Sequence, residues 1–280
     1  MTLTVSTWLI TGCSSGLGRA LAEAVLENGD NVVMTVRTLS SVAELVERYP
    51  QRARAAQVDV RDGDEIVAAV GLANETFGGV DVLVNNAGHG YRAAVEEAPQ
   101  GDIDELFATN LFGPLNLIKA VLPQMRARRS GTILNVSSIG GRRANPGSGY
   151  YSATKFALEG LSDALAKEVG PLGIRVVVIE PGGFRTDFAG RSLHQSAEPI
   201  GDYAATAGVR RKENDSTHGT QPGDPERAAR ALVNLIEGER VPFRLLLGTD
   251  AIASIRSEVE GQLAEIAEWE SVSASTDFES

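Results

Sequence analysis

Three side chains near the middle of the chain have the types and spacing for proton chemistry at a carbonyl. Ser138 follows an apolar run at residues 132–136, and Tyr151 and Lys155 stand four residues apart beyond a glycine-rich segment. The run reads as a buried strand, and Tyr151 as the first turn of a helix. Positions i and i+4 of a helix share one face, one turn apart, so the phenol and the ammonium point the same way. The glycines between strand and helix let Ser138 fold back toward that face. A hydroxyl there can donate to negative charge growing on a carbonyl oxygen, and a phenol can deliver or remove the proton. An unperturbed tyrosine titrates near 10. A neighbouring ammonium favours the phenolate and is expected to lower that value. A lone Tyr-x-x-x-Lys more often means a packed ring and a solvated charge; here the upstream serine argues for the chemical reading. Tyr150 is followed four residues later by Thr154, not by a lysine, so it is not the acid.

The elements that must position this trio are legible as an alternation of short apolar runs and longer amphipathic stretches. Strands are expected at residues 8–10, 32–36, 55–60, 80–84, 132–136, 175–179 and 244–247. Helices are expected between them, at 18–27, 42–49, 64–77, 102–128, 151–169 and 225–236. Gly113-Pro114 predicts a bend inside the fourth of these helices, because proline removes one backbone donor. The strands are almost continuously apolar rather than alternating, which indicates a parallel sheet covered on both faces. Right-handed crossovers then predict a doubly wound α/β domain, seven parallel strands in the order 3-2-1-4-5-6-7 with helices on both faces, and binding groups at the carboxyl ends of the strands. One domain is expected over residues 1–270. Residues 188–223 are polar and too long for a simple connection, and read as a lid or substrate loop. Residues 252–269 read as an acidic terminal helix, and 271–280 as a frayed tail.

Composition narrows the classes of function. The chain has 280 residues, 42% hydrophobic and 22% charged, with a net charge of −11. Such a balance disfavours nucleic acid as a partner. A single cysteine, Cys13, excludes an intrachain disulfide. Neither a signal-peptide pattern nor a contiguous apolar run of the ~20 residues that span a bilayer is visible, so a cytoplasmic protein is expected. His89, His194 and His218 are scattered and give no metal-ligand spacing, so no metal is expected.

Residues 11–18 read Thr-Gly-Cys-Ser-Ser-Gly-Leu-Gly and lie between the first strand and its helix. Glycines there let the backbone approach a pyrophosphate, and the helix N-terminus supplies unpaired donors and positive potential. Taken alone, Gly-x-x-x-Gly-x-Gly also describes a glycine-rich turn; its place after the first strand favours phosphate. At the end of the second strand an acid would suit the free ribose hydroxyls of NAD. This chain carries Arg37 there. A guanidinium suits a 2′-phosphate, so NADP(H) is favoured over NAD(H), although an exposed charge at a strand end is also common.

These residues together resemble the short-chain dehydrogenase/reductase family. The resemblance covers residues 6–187 and rests on the loop 11–18, Asp59-Val60, Asn85-Asn86-Ala87-Gly88, Asn110, Ser138, Tyr151 with Lys155, and Pro181-Gly182 with Thr186. The Cys-Ser-Ser form of the loop and the segment 180–187 look like the branch with 17β-hydroxysteroid dehydrogenase-like members, whose substrate specificities do not carry over. The family implies a single Rossmann-like domain, commonly a homodimer or homotetramer, moving a hydride between a nicotinamide and a carbonyl or secondary alcohol. By the same resemblance Asn110, Ser138, Tyr151 and Lys155 would be catalytic, with Asn110 holding a water that relays protons to Lys155. Gly12, Ser14, Ser15, Gly16, Leu17 and Gly18 would hold the cofactor phosphates. Asp59 and Val60 would meet the adenine, and Asn86, Ala87 and Gly88 its ribose side. Pro181, Gly182, Phe184 and Thr186 would border the nicotinamide, with Tyr151 and Lys155 touching the cofactor as well. His89, Tyr91, Arg142, Arg143, Asn145, Phe184 and His194 are candidates for a small-molecule substrate pocket. Two alternatives stay open: a regulator that binds NADP(H) without turnover, and an NAD-preferring alcohol dehydrogenase.

Overall fold

Nearly every residue of the inner strands is buried on both sides, which is why their sequences lack polar alternation. The computed structural model describes residues 5–190, 192–217, 219–238 and 240–278. Its strands are β1 (Thr7–Thr11), β2 (Asn31–Val36), β3 (Ala53–Gln57), β4 (Val82–Asn85), β5 (Gly90–Arg92), β6 (Gly131–Val136), β7 (Ile174–Pro181), β8 (Leu193–Gln195) and β9 (Arg244–Leu247). Seven of them form one sheet in the order β3-β2-β1-β4-β6-β7-β9, with every pairing parallel. This is the expected order once the two short strands are set aside. β5 and β8 pair with each other in a separate two-stranded sheet that the sequence did not announce.

The helices are α1 (Gly16–Asn28), α2 (Ala43–Arg48), α3 (Gly63–Phe77), α4 (Gln100–Phe107), α5 (Gly113–Arg128), α6 (Gly149–Val169), α7 (Ala207–Thr217), α8 (Pro225–Glu237) and α9 (Thr249–Ala274). Leu21 and Val25 of α1 and Leu232 and Val233 of α8 cover one face of the sheet, against Trp8 and Ile10. Ile66 of α3, Leu117 and Val121 of α5 and Leu165 of α6 cover the other, against Leu9 and Leu83. Each such side chain contributes roughly 1.5–3 kcal/mol when fully buried. Helix starts are set locally: the Asp62 carboxylate accepts from the N–H groups of Asp64 and Glu65, and Asp224 does the same for Glu226 and Arg227.

Four expectations need correction. The distortion placed at Gly113-Pro114 lies one turn earlier, as a π-helical turn at Ala108–Phe112 between α4 and α5. An unbroken α-ladder would ask Pro114 for an N–H it lacks; the wider turn takes up that missing bond. The continuous helical region Gln100–Arg128 is, by length and composition, apolar enough to cross a membrane, although no contiguous apolar run suggested it. Its Leu117, Ile118, Val121 and Met125 are spent on the core instead. The stretch 188–223 is not a bare loop: it contains β8 and α7, and it is fastened to buried Glu97. There Ser196 Oγ donates to the Glu97 carbonyl at 2.8 Å, the Ile200 N–H to its carboxylate at 2.8 Å, and Arg211 pairs with it. Finally, α9 starts earlier than expected and runs on through Ala274 into the stretch read as tail.

Every residue from 261 to 278 is exposed. Deleting residues 271–280 is therefore expected to leave thermal stability almost unchanged, and a large drop in Tm by calorimetry would show that the segment docks.

Candidate functional site

The carboxyl ends of the strands open into a cleft of about 960 Å³. At one end lies the turn from β1 to α1. Thr11 Oγ1 accepts the N–H groups of Asn86 and Ala87, both at 2.9 Å, and the Asn86 amide donates back to the Thr11 carbonyl at 2.8 Å. The turn after β4 thus braces the turn after β1. Only glycine fits two points of this clamp. Gly12 has φ +71° and a Cβ on it would sit 2.9 Å from Ala87 Cα; a Cβ on Gly18 would sit 2.3 Å from Asn86 Nδ2. Gly18 is a packing position rather than part of the cleft wall, whereas Gly12, Ser14, Ser15, Gly16 and Leu17 line it. Ser15 heads α1 in extended conformation and its hydroxyl makes no capping bond. The first-turn N–H groups and the positive end of α1 remain directed at the cleft. Cys13 is buried, its thiol donating to the Ile10 carbonyl at 3.1 Å, and burial pushes its pKa up to about 12. It is a packing residue, not a reactive thiol.

Arg37 follows β2 and is exposed at the cleft wall with Thr38 and Ser41. Asp59 lies beyond the end of β3, which stops at Gln57, and Val60 is buried beside it. The Asp59 carboxylate is already engaged by the Arg61 guanidinium at 2.6–3.1 Å, which holds it below the usual carboxylate range. Any adenine amine would share it with that partner. Ala87 and Gly88 line the cleft near its middle. Pro181, the last residue of β7, and Gly182, Phe184 and Thr186 after it also line the cleft. There Asp250, from the first turn of α9, accepts the Gly183 N–H at 2.7 Å; it is a cleft residue that the sequence reading missed.

Ser138, Tyr151 and Lys155 meet in the same cleft. Ser138 heads a short 3-10 turn (Ile139–Gly141), where Oγ accepts the Gly140 N–H at 3.0 Å and hydrogen-bonds the Tyr151 phenol. Tyr151 lies in the first turn of α6, as expected, and is buried. The Lys155 amine donates to the Val136 carbonyl at 2.9 Å and sits 5.9 Å from the centre of the Tyr151 ring. Burial pulls its pKa down to about 8, opposed by Glu159 one turn on. The tyrosine does not follow the expected route. Burial raises its phenol, and what opposes the rise is the Ser138 hydrogen bond and then the charge of Arg92, not Lys155. The amine is turned toward Val136, and the cation whose charge acts on the phenol is Arg92 of β5.

Asn110 sits in the π-helical turn, fully buried. Its Oδ1 accepts the His89 N–H at 3.1 Å, and its Nδ2 donates to the His89 carbonyl at 2.9 Å and to Thr154 Oγ1 at 3.3 Å. Gly88 separates it from Lys155: a Cβ there would lie 3.0 Å from Asn110 Oδ1 and 3.8 Å from Lys155 Nζ.

Among the pocket candidates, His89, Arg143, Asn145, Phe184 and His194 line the cleft, and Tyr91 and Arg142 do not. Tyr91 is buried with its hydroxyl on Asp102 at 2.7 Å, and Arg142 pairs with buried Glu180 at 3.2 Å. His218 lies outside the described residues. The His89 and His194 rings stack 4.7 Å apart, and burial pulls His89 down to about 4, so it is neutral at pH 7. Phe188, also missed, stands with its ring 5.9 Å from that of Tyr151.

Comparison with known proteins agrees with this architecture. A family model described as short chain dehydrogenase matches residues 6–197. An oxidoreductase of Botryotinia fuckeliana, BOA17, is 39% identical over 262 residues, covering 92% of this chain and 93% of that protein. A 3-ketodihydrosphingosine reductase of Bacteroides thetaiotaomicron is 37% identical over 246 residues, covering 86% and 87%. The crystal structure of a short-chain dehydrogenase from Streptomyces avermitilis superposes with a TM-score of 0.92 at 44% identity, covering 99% of this chain and 100% of that one.

Proposed function

Because the chain belongs to the short chain dehydrogenase family, oxidoreductases that act on CH–OH and C=O groups with NAD(P), we propose that it is an NADP(H)-dependent carbonyl reductase with Tyr151 as general acid. The observation that carries the reading is the meeting of Ser138, Tyr151 and Lys155 in a cleft whose other end is a glycine-clamped helix N-terminus. The cleft fits a dinucleotide. Gly12 and Gly16 bring the backbone close where a pyrophosphate would lie, Gly18 lets the turn pack against Asn86 behind them, and the start of α1 offers donors to it. Arg37 stands where an added 2′-phosphate would take a charged, forked hydrogen bond.

When bound, the nicotinamide supplies the hydride and leaves negative charge on the carbonyl oxygen. Ser138 Oγ donates to that oxygen and orients the phenol. Tyr151 transfers its proton there, a contribution of about 10²–10⁴ in rate for a well-placed acid. Lys155, with a pKa of about 8, exchanges its proton near neutral pH, and since its amine bonds Val136 rather than the phenol, any proton it passes to Tyr151 travels through an intervening group. The braced Asn110 keeps His89 and the wall beside Lys155 in register. Family proteins act on small molecules, and the histidine and phenylalanine rings favour a substrate with a flat apolar part.

The direct test is a panel of carbonyls and secondary alcohols, with nicotinamide absorbance as the readout and both cofactors in parallel. No oxidation or reduction with either cofactor would overturn the reading. Arg37→Asp is expected to raise the Kd for NADPH by at least tenfold and to leave NADH within a few-fold, as befits the loss of a charge-assisted contact to one phosphate. Equal effects on both cofactors would refute the phosphate role of Arg37.

A further inference from the structure

We propose that Arg143 reads an anionic group on the substrate, so that the carbonyl compounds reduced in this cleft are acids rather than neutral molecules. This rests on the reductase reading and names its substrate class.

The chain as a whole carries a net charge of −11, yet Arg92, Arg143 and Arg210 all line the cleft near its reactive end. Arg143 is the best defined. Its backbone N–H donates to the Ile139 carbonyl at 3.1 Å, so it is held to the short turn that Ser138 heads. Its guanidinium is fixed at two points: one terminal nitrogen donates to Ser254 Oγ at 2.9 Å, the other to Asn145 Oδ1 at 3.0 Å. Both acceptors are neutral. Its Nε is buried without a hydrogen-bond partner. Among the described residues it forms no salt bridge, whereas its neighbour Arg142 has Glu180.

A half-buried guanidinium held by neutral acceptors is oriented but not neutralised, and removing it from water is costly without a counter-charge. Asp59, Glu105, Asp187 and Asp250 also line the cleft, and none of them forms an ion pair with Arg143: Asp59 and Glu105 pair with Arg61, and Asp250 accepts the Gly183 N–H through Oδ2. A planar, always-charged fork of donors suits a carboxylate above other groups. With Arg143 on the same turn as Ser138, a substrate whose carbonyl meets Ser138 and Tyr151 would present its acid group to Arg143.

The experiment titrates phenylglyoxylate, benzoylpropionate and benzoylbutyrate, each against its methyl ester, into the NADPH-loaded protein by calorimetry, with turnover of each followed in parallel. At least one acid is expected to bind tenfold or more tightly than its ester. Arg143→Leu should close that gap by raising the Kd and KM of the acid roughly ten- to hundredfold, with the ester unaffected. Arg143→Lys, which keeps the charge but not the fork, should give an intermediate gap and serves if the leucine variant fails to fold. Equal binding of every acid and ester, no binding of any acid, or equal weakening of both by the variants would overturn the proposal. Acid-selective binding without turnover would leave the anion site standing and sink the reductase reading. Turnover that favours the esters would do the reverse.

Discussion

Tyr151→Phe is expected to lower kcat by about 10²–10⁴ and to leave NADPH affinity within a few-fold of the native chain. The substitution removes one oxygen. The ring keeps its buried place in α6 and its neighbour Phe188, 5.9 Å away between ring centres, and only the hydrogen bond with Ser138 is lost. Folding should therefore survive, and single-turnover rates beside fluorescence titration of NADPH separate the two effects. A loss of cofactor binding as large as the loss of rate would make the residue structural. In the oxidative direction the phenol must act as phenolate. Burial raises its pKa, so alcohol oxidation by the native protein should climb with pH through the alkaline range.

Lys155→Met should abolish turnover and yet stabilise the cofactor-free protein at neutral pH. The amine is 6% exposed and makes a single hydrogen bond, to Val136. Burial lowers its pKa from 10.5 to about 8. At about 1.4 kcal/mol per tenfold change in proton affinity, the charged folded form carries a penalty of roughly 3 kcal/mol. The sign follows from proton counting. Below pH 8 both folded and unfolded chains hold the proton, and the penalty is full. Between about 8 and 10.5 the unfolded chain binds more protons than the folded one, so native stability rises with pH there. Methionine removes the penalty and the slope, at the loss of a hydrogen bond worth about 0.5–1.5 kcal/mol. Denaturant titrations should show a net gain of about 1–3 kcal/mol at pH 7 that shrinks as pH approaches 10. A variant less stable than the native chain at pH 7 would contradict this account.

The parts of the site that could be read from the sequence are those whose signal is local. The i, i+4 relation of Tyr151 and Lys155 survives because α6 is regular across it, and the apolar runs give the strand order because parallel strands are buried on both faces. What escaped depends on distant partners. The charge of Arg92 acts on Tyr151 from a three-residue strand whose partner lies beyond β7, and Asp250 reaches the turn after β7 from the far end of the chain. The π-helical turn is invisible to a 3.6-residue period, since the extra residue is absorbed without changing composition. The helix α7, Ala-Gly-Val-Arg-Arg-Lys-Glu-Asn-Asp-Ser-Thr, has no apolar stripe to announce it. Lys155 does not lower the Tyr151 pKa in the cofactor-free chain because burial brings the amine's own pKa down to about 8, leaving it neutral where the buried phenol titrates.

The ladder between β5 and β8 joins Gly90, Tyr91 and Arg92 to Leu193, His194 and Gln195. Its first rung is extended by the Gly90 N–H on the Ser192 carbonyl at 2.8 Å. One residue before Gly90, the main chain of His89 is gripped on both sides by the Asn110 amide. The β5–β8 ladder is thus tied, through His89, to the amide that lies across Gly88 from Lys155. If the chain works as the proposed reductase, a mutation that loosens this tie should disturb product release and the recharging of Tyr151 together.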